Sequence, residues 1–91
     1  MAELIDNAAR SRFEMAVGHA VAVVNYARPR GNTIELTHTE VPETLAGQGV
    51  GSRLAKAVLD RVRANGLRVV PSCPFIAAYI ERNPEYRDLV L

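Results

Sequence analysis

The stretch LAGQGVGSRLAKAVLDRVRANG, residues 45–66, decides the fold because it puts a glycine-rich turn directly before a strongly periodic segment. From Val50 onward, apolar residues recur at steps of three and four, and most charged residues fall on the opposite side. This is the pattern of an amphipathic helix that packs one face on a core. Asn65-Gly66 is a helix stop, since glycine tolerates the left-handed conformation found at many helix ends. The spacing therefore predicts a helix over residues 50–64.

Three β-strands are predicted before this helix. The segments RFEMAV, HAVAVVNYAR and TIELTHTEV are rich in valine or alternate apolar with polar residues, and a glycine and the turn PRGN separate them. Short connections of this kind predict an antiparallel meander. In the third segment, strict alternation puts Ile34, Leu36, His38 and Glu40 on one face. Residues 1–9 show no comparable pattern, and we expect them to be frayed or loosely attached.

A fourth strand and a second helix are predicted after the first helix. The segment LRVVP, residues 67–71, is short and almost entirely apolar, which predicts a strand buried on both faces. In SCPFIAAYIERN, Pro74 suits the first turn of a helix, and Pro84 follows where that helix must have ended. The tail PEYRDLVL fits no single element, and we expect its apolar end to pack back on the sheet.

The order of the elements predicts an α+β fold in a single domain over residues 1–91. A helix that joins the third and fourth strands indicates a right-handed parallel crossover. The predicted sheet is therefore mixed: a three-stranded antiparallel meander, followed by a helix, a parallel strand and a second helix.

Composition and charge restrict the class of protein. The chain is 48% hydrophobic and 23% charged, with a formal net charge of +1, and its scattered basic residues weigh against nucleic-acid binding. No segment approaches the ~20 apolar residues of a membrane span, the first residues do not resemble a signal peptide, and no residues have the spacing of metal ligands. A single cysteine excludes an internal disulfide and indicates a reducing compartment. We therefore expect a cytoplasmic protein without a metal site.

The turn that contains Gly47, Gly49 and Gly51, called the glycine turn below, has two interpretations. The start of a helix presents unpaired N–H groups and a partial positive charge, which suit a phosphate, and glycine lets the phosphate approach the backbone. Alternatively, the glycines only provide the geometry of entry into the helix. A P-loop is not supported, because Ser52-Arg53 follows Gly51 where Lys and then Ser or Thr are required. A dinucleotide fingerprint is not supported either, because Leu54 occupies the place of its third glycine.

The segment Val41–Tyr86 resembles the small YjdJ-like branch of the GNAT N-acetyltransferase superfamily. The likeness rests on the glycine turn, on CPF at residues 73–75 and on NPEY at residues 83–86. The acetyl-coenzyme A signature of that superfamily is Gln/Arg-x-x-Gly-x-Gly/Ala at the start of a helix. Here the Gln/Arg position falls on Ala46, which cannot make the side-chain contact of the signature. The backbone of Gly47–Ser52, which needs no particular side chain to hold a phosphate, still matches the signature.

The resemblance implies acetyl-coenzyme A, or coenzyme A, as co-substrate. It implies that the glycine turn holds the pyrophosphate and that the edge of the third predicted strand pairs with the amides of the pantetheine arm. The residues implied in binding are Thr39, Glu40, Val41, Gly47, Gln48, Gly49, Val50, Gly51, Ser52 and Arg53.

Three residues are candidates for the chemistry of acetyl transfer. In many members of the superfamily a tyrosine of the last helix protonates the departing thiolate, but Tyr79 is displaced from that position by one residue, so a packing role is equally open. Cys73 stands at the start of the last predicted helix, which favours its thiolate. It can relay a proton or accept the acetyl group, or it is simply a small buried apolar residue. His38, with Glu40, can take a proton from the incoming amine, or it is an exposed polar residue at a strand edge.

We predict an acetyl-coenzyme A-dependent N-acetyltransferase whose acceptor is an amine, for example an exposed lysine or the N-terminus of a protein. Neither a membrane nor nucleic acid is expected as a partner. Two alternatives stay open: a module that binds coenzyme A or an acyl-coenzyme A without catalysis, and a small protein-interaction domain whose glycines only shape a turn.

Overall fold

The computed structural model describes residues 3–91, which form a five-stranded sheet and two α-helices. The elements are β1 (Leu4–Asn7), β2 (Arg12–Val17), β3 (Ala20–Ala27), β4 (Thr33–Glu40), α1 (Val50–Ala64), β5 (Arg68–Pro71) and α2 (Pro74–Arg82). Short 3-10 turns cover Ala8–Arg10, Glu43–Leu45 and Pro84–Leu89. The strands lie in chain order, antiparallel from β1 to β4, and β4 and β5 are parallel. The predicted α+β fold is confirmed, and α1 has the predicted bounds.

The prediction of a frayed N-terminus is wrong for the residues described, while Met1 and Ala2 lie outside them. Leu4–Asn7 forms a fourth antiparallel strand, with Leu4 opposite Met15 of β2. The hydroxyl of Tyr26 donates a hydrogen bond of 2.6 Å to Asp6, which links β1 to β3 across β2. So short a strand buries only Leu4, so its sequence carries no readable period.

Both helices pack on one face of the sheet and form a single apolar core with it. The stripe of α1 predicted from the sequence is the buried one: Val50, Leu54, Val58 and Val62 are at most 1% exposed. The opposite face of the sheet carries no helix within residues 3–91. For that reason β5 is buried on one face only, which corrects the prediction for LRVVP: Val69 is buried, whereas Arg68 is exposed.

An irregularity in β4 corrects the predicted alternation of its side chains. Leu36 pairs with Tyr26 and His38 pairs with Asn25, so Thr37 is an extra residue without a partner on β3. Such a bulge moves every later side chain to the other face. His38 and Glu40 therefore do not share the face of Leu36; both are exposed on the side without helices.

The residues after α2 close the outer edge of β5, as expected for the apolar tail. Val90 forms a parallel bridge with Val69, and the N–H of Leu91 donates to the carbonyl of Val69 at 3.0 Å. Buried Tyr86 attaches this segment to α1, because its hydroxyl donates to Asp60 at 2.7 Å. Burial and this bond raise the pKa of Tyr86.

The bond between Tyr26 and Asp6 makes the docking of β1 measurable. Burial and the Asp6 carboxylate raise the pKa of Tyr26 to about 12, because the phenolate would be partly desolvated and close to a negative charge. This value exceeds that of an exposed tyrosine, about 10. The raised pKa of Tyr26 therefore stabilises the folded state fully below about pH 10, and this contribution is lost as the pH rises through about 12.

We expect Asp6→Asn to lower the pKa of Tyr26 without removing the part of the shift that is due to burial. The measurement is tyrosinate absorbance against pH, with Tyr26→Phe supplying the signal of the other tyrosines. An identical Tyr26 titration in the wild type and in Asp6→Asn would contradict the docking of β1.

Candidate functional site

A gap opens between β4 and the chain that follows β5. β4 and β5 pair only from Thr33 to Leu36 of β4. The N–H of Cys73 makes the next link, donating to the carbonyl of Leu36 at 2.9 Å. Beyond it, β4 continues to Glu40 while the other chain turns into α2. The far half of β4 thus leaves its outer edge open beside the start of α2.

A depression of about 260 Å³ lies at the end of this gap, where the glycine turn leads into α1. It combines the residue directly after β4, the turn that leads into α1, the first residues of α1 and one side chain of α2. Its lining residues are Val41, Leu45, Ala46, Gly47, Gly49, Val50, Gly51, Ser52 and Phe75. The structure thus brings together most of the residues that the resemblance implies in pyrophosphate binding.

The backbone at the start of α1 is free to bind an anion. Gly49 is the N-cap, with φ 71°, a left-handed conformation that glycine adopts without strain. It has no side chain to cap the helix, and the first turn of α1 has no acidic residue. Within residues 3–91, no hydrogen bond uses the N–H groups from Gly49 to Ser52 as donors. These N–H groups and the helix dipole therefore favour a negatively charged ligand here.

Gly51 has a different role, because it makes room for Phe75. A Cβ at position 51 would lie 2.8 Å from Cζ of Phe75. Phe75 itself is 38% exposed and lines the depression. Sequence reasoning missed it, although a signal was present: it stands outside the buried stripe of α2, which consists of Ile76, Tyr79 and Ile80.

Polar side chains of the turn are exposed around the depression. Gln48 bonds back to the carbonyl of Thr44 at 3.2 Å, so it stabilises the turn. Ser52 and Arg53 are exposed on the first turn of α1. Either side chain can reach a ligand from solvent.

Cys73 is the N-cap of α2, as predicted, and it is only 3% exposed. Its sulfur lies 3.2 Å from the hydroxyl oxygen of Thr39 on β4. Thr39 stands opposite the buried Val24, so it is on the helix face of the sheet. The gap begins where Cys73 bonds to Leu36, and this side is called its inner end. The structure therefore places a thiol and a hydroxyl together at the inner end of the gap.

The other two candidates for chemistry lie elsewhere. The ring of Tyr79 is buried, with its centroid 6.1 Å from that of Tyr86, which fits the packing role. His38 lies on the exposed face of the sheet, away from the side on which Cys73 and Thr39 meet. The structure thus joins Thr39 to Cys73 and joins neither His38 nor Tyr79 to them.

A second depression, of about 400 Å³, lies between the β2–β3 turn and the 3-10 turn after β4. It is lined by Val17, His19, Ala20, Thr44 and Leu45.

In the described part of the chain, no three His, Cys, Asp or Glu side chains gather in a way that could hold a metal ion. Neither of the helices in residues 3–91 has the length and apolarity needed to cross a membrane.

Comparison with a model of the GCN5-related N-acetyltransferase domain gives a match over residues 12–89. The chain belongs to this family. The matched residues include β4, the glycine turn, α1 and α2, so the gap and the depression lie within the family domain. The resemblance found in the sequence is confirmed at the level of the family.

Relatives and a solved structure agree with this assignment. The chain is 38% identical over 66 residues to Protein NATD1 of Xenopus tropicalis and of Homo sapiens, which is 72% of this chain. It spans about three fifths of the length of these relatives, 61% and 58% respectively. The NMR solution structure of a GCN5-like protein from Staphylococcus aureus superposes with a TM-score of 0.74 and 33% identity. That match covers 98% of this chain and 87% of the other.

The two glycines of the family turn are expected to respond differently to alanine. Gly49→Ala forces a side chain into a left-handed backbone and lowers the free energy of unfolding by about 1 kcal/mol. Gly51→Ala gains helix propensity but displaces the Phe75 ring, so its net effect is small. In a Phe75→Ala background, Gly51→Ala becomes stabilising by up to about 1 kcal/mol.

Urea denaturation of the wild type, the three single variants and the Gly51→Ala/Phe75→Ala double variant measures these changes in the free energy of unfolding and the coupling between residues 51 and 75. Equal effects of Gly51→Ala with and without Phe75 would contradict the contact between residues 51 and 75.

Proposed function

We propose that the chain is an acetyl-coenzyme A-dependent N-acetyltransferase that binds the pyrophosphate at the start of α1 and transfers the acetyl group beside Cys73. The observation that carries this proposal is the junction of two features. The depression at the glycine turn continues from the open edge of β4, and Cys73 lies at the inner end of that edge. A long ligand with an anionic end and a reactive thioester end matches both features.

Backbone N–H groups are the proposed ligands of the pyrophosphate. Gly49 to Ser52 supply unpaired donors at a helix start with no acidic side chain in its first turn. Ala46 offers no polar side chain where the family signature has Gln or Arg. Exposed Arg53 is the cationic residue of this turn and the proposed additional contact to a phosphate.

The open edge of β4 is the proposed site of the pantetheine arm. Its two amides need hydrogen-bond partners once they leave water, and Thr39, Glu40 and Val41 provide the strand edge next to the gap. Phe75 lines the same depression with an apolar ring. Backbone pairing on one side and apolar contact on the other suit an arm that alternates amides with methylene groups.

Cys73 is the proposed nucleophile. Its thiolate sulfur forms a bond to the carbonyl carbon of the thioester, the bond from that carbon to the coenzyme A sulfur breaks, and the departing thiolate takes a proton from solvent. A neutral amine then attacks the acetylated cysteine. The C–N bond forms, the C–S bond breaks, Cys73 returns as thiolate, and the nitrogen loses a proton.

The proposed acceptor is an exposed amine, such as a lysine or an N-terminus of a protein. Within residues 3–91 the sheet face that carries His38 and Glu40 is not covered by any helix, so a bulky acceptor can lie against that face and extend its amine to Cys73 through the gap beside β4. A role of these residues in removing a proton from the amine requires approach from that face. Without such approach, they are exposed residues of the strand edge.

A binding module without catalysis is the second candidate. Two observations favour it: Ala46 replaces the family's polar residue, and the Tyr79 ring is buried against Tyr86. Binding of coenzyme A with no transfer to any amine would select this function.

Coenzyme A is expected to stabilise the folded chain. A ligand at one hundred times its Kd adds about 2.7 kcal/mol, which raises the Tm of a domain of this size by roughly 10 °C or more. Ser52→Glu places a negative charge beside the proposed pyrophosphate position and should reduce this shift several-fold. Ala64→Glu adds the same charge at the other end of α1 and should retain the shift.

Thermal unfolding with and without coenzyme A measures both effects. An unchanged Tm in the wild type at millimolar coenzyme A would contradict the proposed function. Equal shifts in the two Glu variants would contradict the proposed pyrophosphate position.

Acetylation of Cys73 is the expected chemical intermediate. Wild-type protein incubated with acetyl-coenzyme A and no amine should gain the mass of one acetyl group, and a peptide map should place it on Cys73. Cys73→Ala and Cys73→Ser should lose transfer to peptide amines while keeping the thermal shift with coenzyme A. Unchanged turnover in Cys73→Ala would remove Cys73 from the mechanism.

A further inference from the structure

Within residues 3–91, the sulfur of Cys73 has one side-chain hydrogen-bond partner, the hydroxyl of Thr39 at 3.2 Å. Cys73 is buried and Thr39 is half-buried, so water competes little for this contact. The backbone of Cys73 is fixed as well, because its N–H donates to the carbonyl of Leu36. The contact therefore joins two well-positioned groups from β4 and the start of α2.

The bulge in β4 is what selects Thr39 for this contact. Regular alternation from Leu36 would turn His38 toward the helix face and Thr39 away from it. Because Thr37 is an extra residue, Thr39 instead stands opposite Val24 on the helix face. The hydroxyl of Thr37 donates to the carbonyl of Asn25 at 3.2 Å and so stabilises the bulge.

The start of α2 makes no hydrogen bond to the sulfur of Cys73 in this structure. A side chain at the N-cap accepts from the N–H of the second or third helical residue, here Phe75 or Ile76, since the first residue, Pro74, has no N–H. The side chain of Cys73 makes no cap hydrogen bond to the helix. An ionised sulfur only accepts hydrogen bonds, so toward it the Thr39 hydroxyl must be the donor.

We infer that Thr39 is a positioning residue: its hydroxyl donates a hydrogen bond to the ionised sulfur of Cys73 and holds that sulfur at the inner end of the gap. The inference deepens the proposed function and rests on it for its catalytic meaning. The bond itself belongs to the free protein and is testable without coenzyme A.

The test is the pH profile of Cys73 alkylation by iodoacetamide. Cys73 is the one cysteine of the chain, so the rate reports on that residue alone. Thr39→Val keeps the shape of the side chain and removes the hydroxyl. Because a hydrogen bond to a charged group is worth more than one to a neutral group, we expect the profile to move to higher pH by about one unit. Thr39→Ser restores the hydroxyl and should return the profile to that of the wild type.

Thr33→Val is the matched control, since it removes a hydroxyl at the other end of β4, outside the bulge and away from Cys73; its profile should match the wild type. A wild-type profile in Thr39→Val, or the same displaced profile in Thr39→Ser, would overturn the inference. Circular dichroism establishes the fold of each variant, and Thr39→Ala replaces Thr39→Val if the latter does not fold.

Thermal shifts with coenzyme A separate this inference from the proposed function. If the wild type shows no shift but Thr39→Val displaces the alkylation profile, the proposed function fails and the bond stands. If coenzyme A binds, the wild type transfers the acetyl group to peptide amines and the profiles of all variants coincide, the proposed function stands and the role of Thr39 fails.

Discussion

One extra residue in β4 is the constraint on which the site depends. Because Thr37 has no partner on β3, the second half of β4 presents Thr39 to the helix face and His38 to the exposed face. The pairing of β4 with β5 ends at Leu36, because the chain that follows β5 turns away into α2. The bulge and the short pairing together create an open strand edge with the thiol of Cys73 at its inner end.

The glycine turn completes the site by leaving the backbone bare. Gly49 provides a left-handed N-cap without a competing side chain, and Gly51 lets Phe75 pack against the helix start. The two glycines thus serve conformation and close packing, while the N–H groups between them are left without acceptors in the described structure. The absence of a polar side chain at Ala46 is consistent with recognition by the backbone. Gly47 shares the left-handed conformation of Gly49, with φ 77°, so the three glycines within five residues have two physical reasons.

The sequence predicted those parts of the fold whose signal is periodic or local. The stripe of α1 and the helix stop at Asn65-Gly66 set its bounds, and Pro74 marked the start of α2. What failed was non-periodic or tertiary. A one-residue bulge at Thr37 changes no local pattern, so strict alternation predicts the wrong face for His38. Phe75 is set apart by its position outside the apolar stripe of α2, but its place in the site depends on the packing of α2 on the turn, which the sequence does not show.

The central claim is that backbone N–H groups at the start of α1 bind coenzyme A. Backbone ¹H–¹⁵N NMR of the labelled chain during a titration with coenzyme A tests it most directly. The account predicts the largest changes in amide chemical shift from Gly49 to Ser52, with changes along the edge of β4 from Thr39 to Val41. Changes confined to the β2–β3 turn, or a glycine turn that stays unperturbed at saturation, would contradict it.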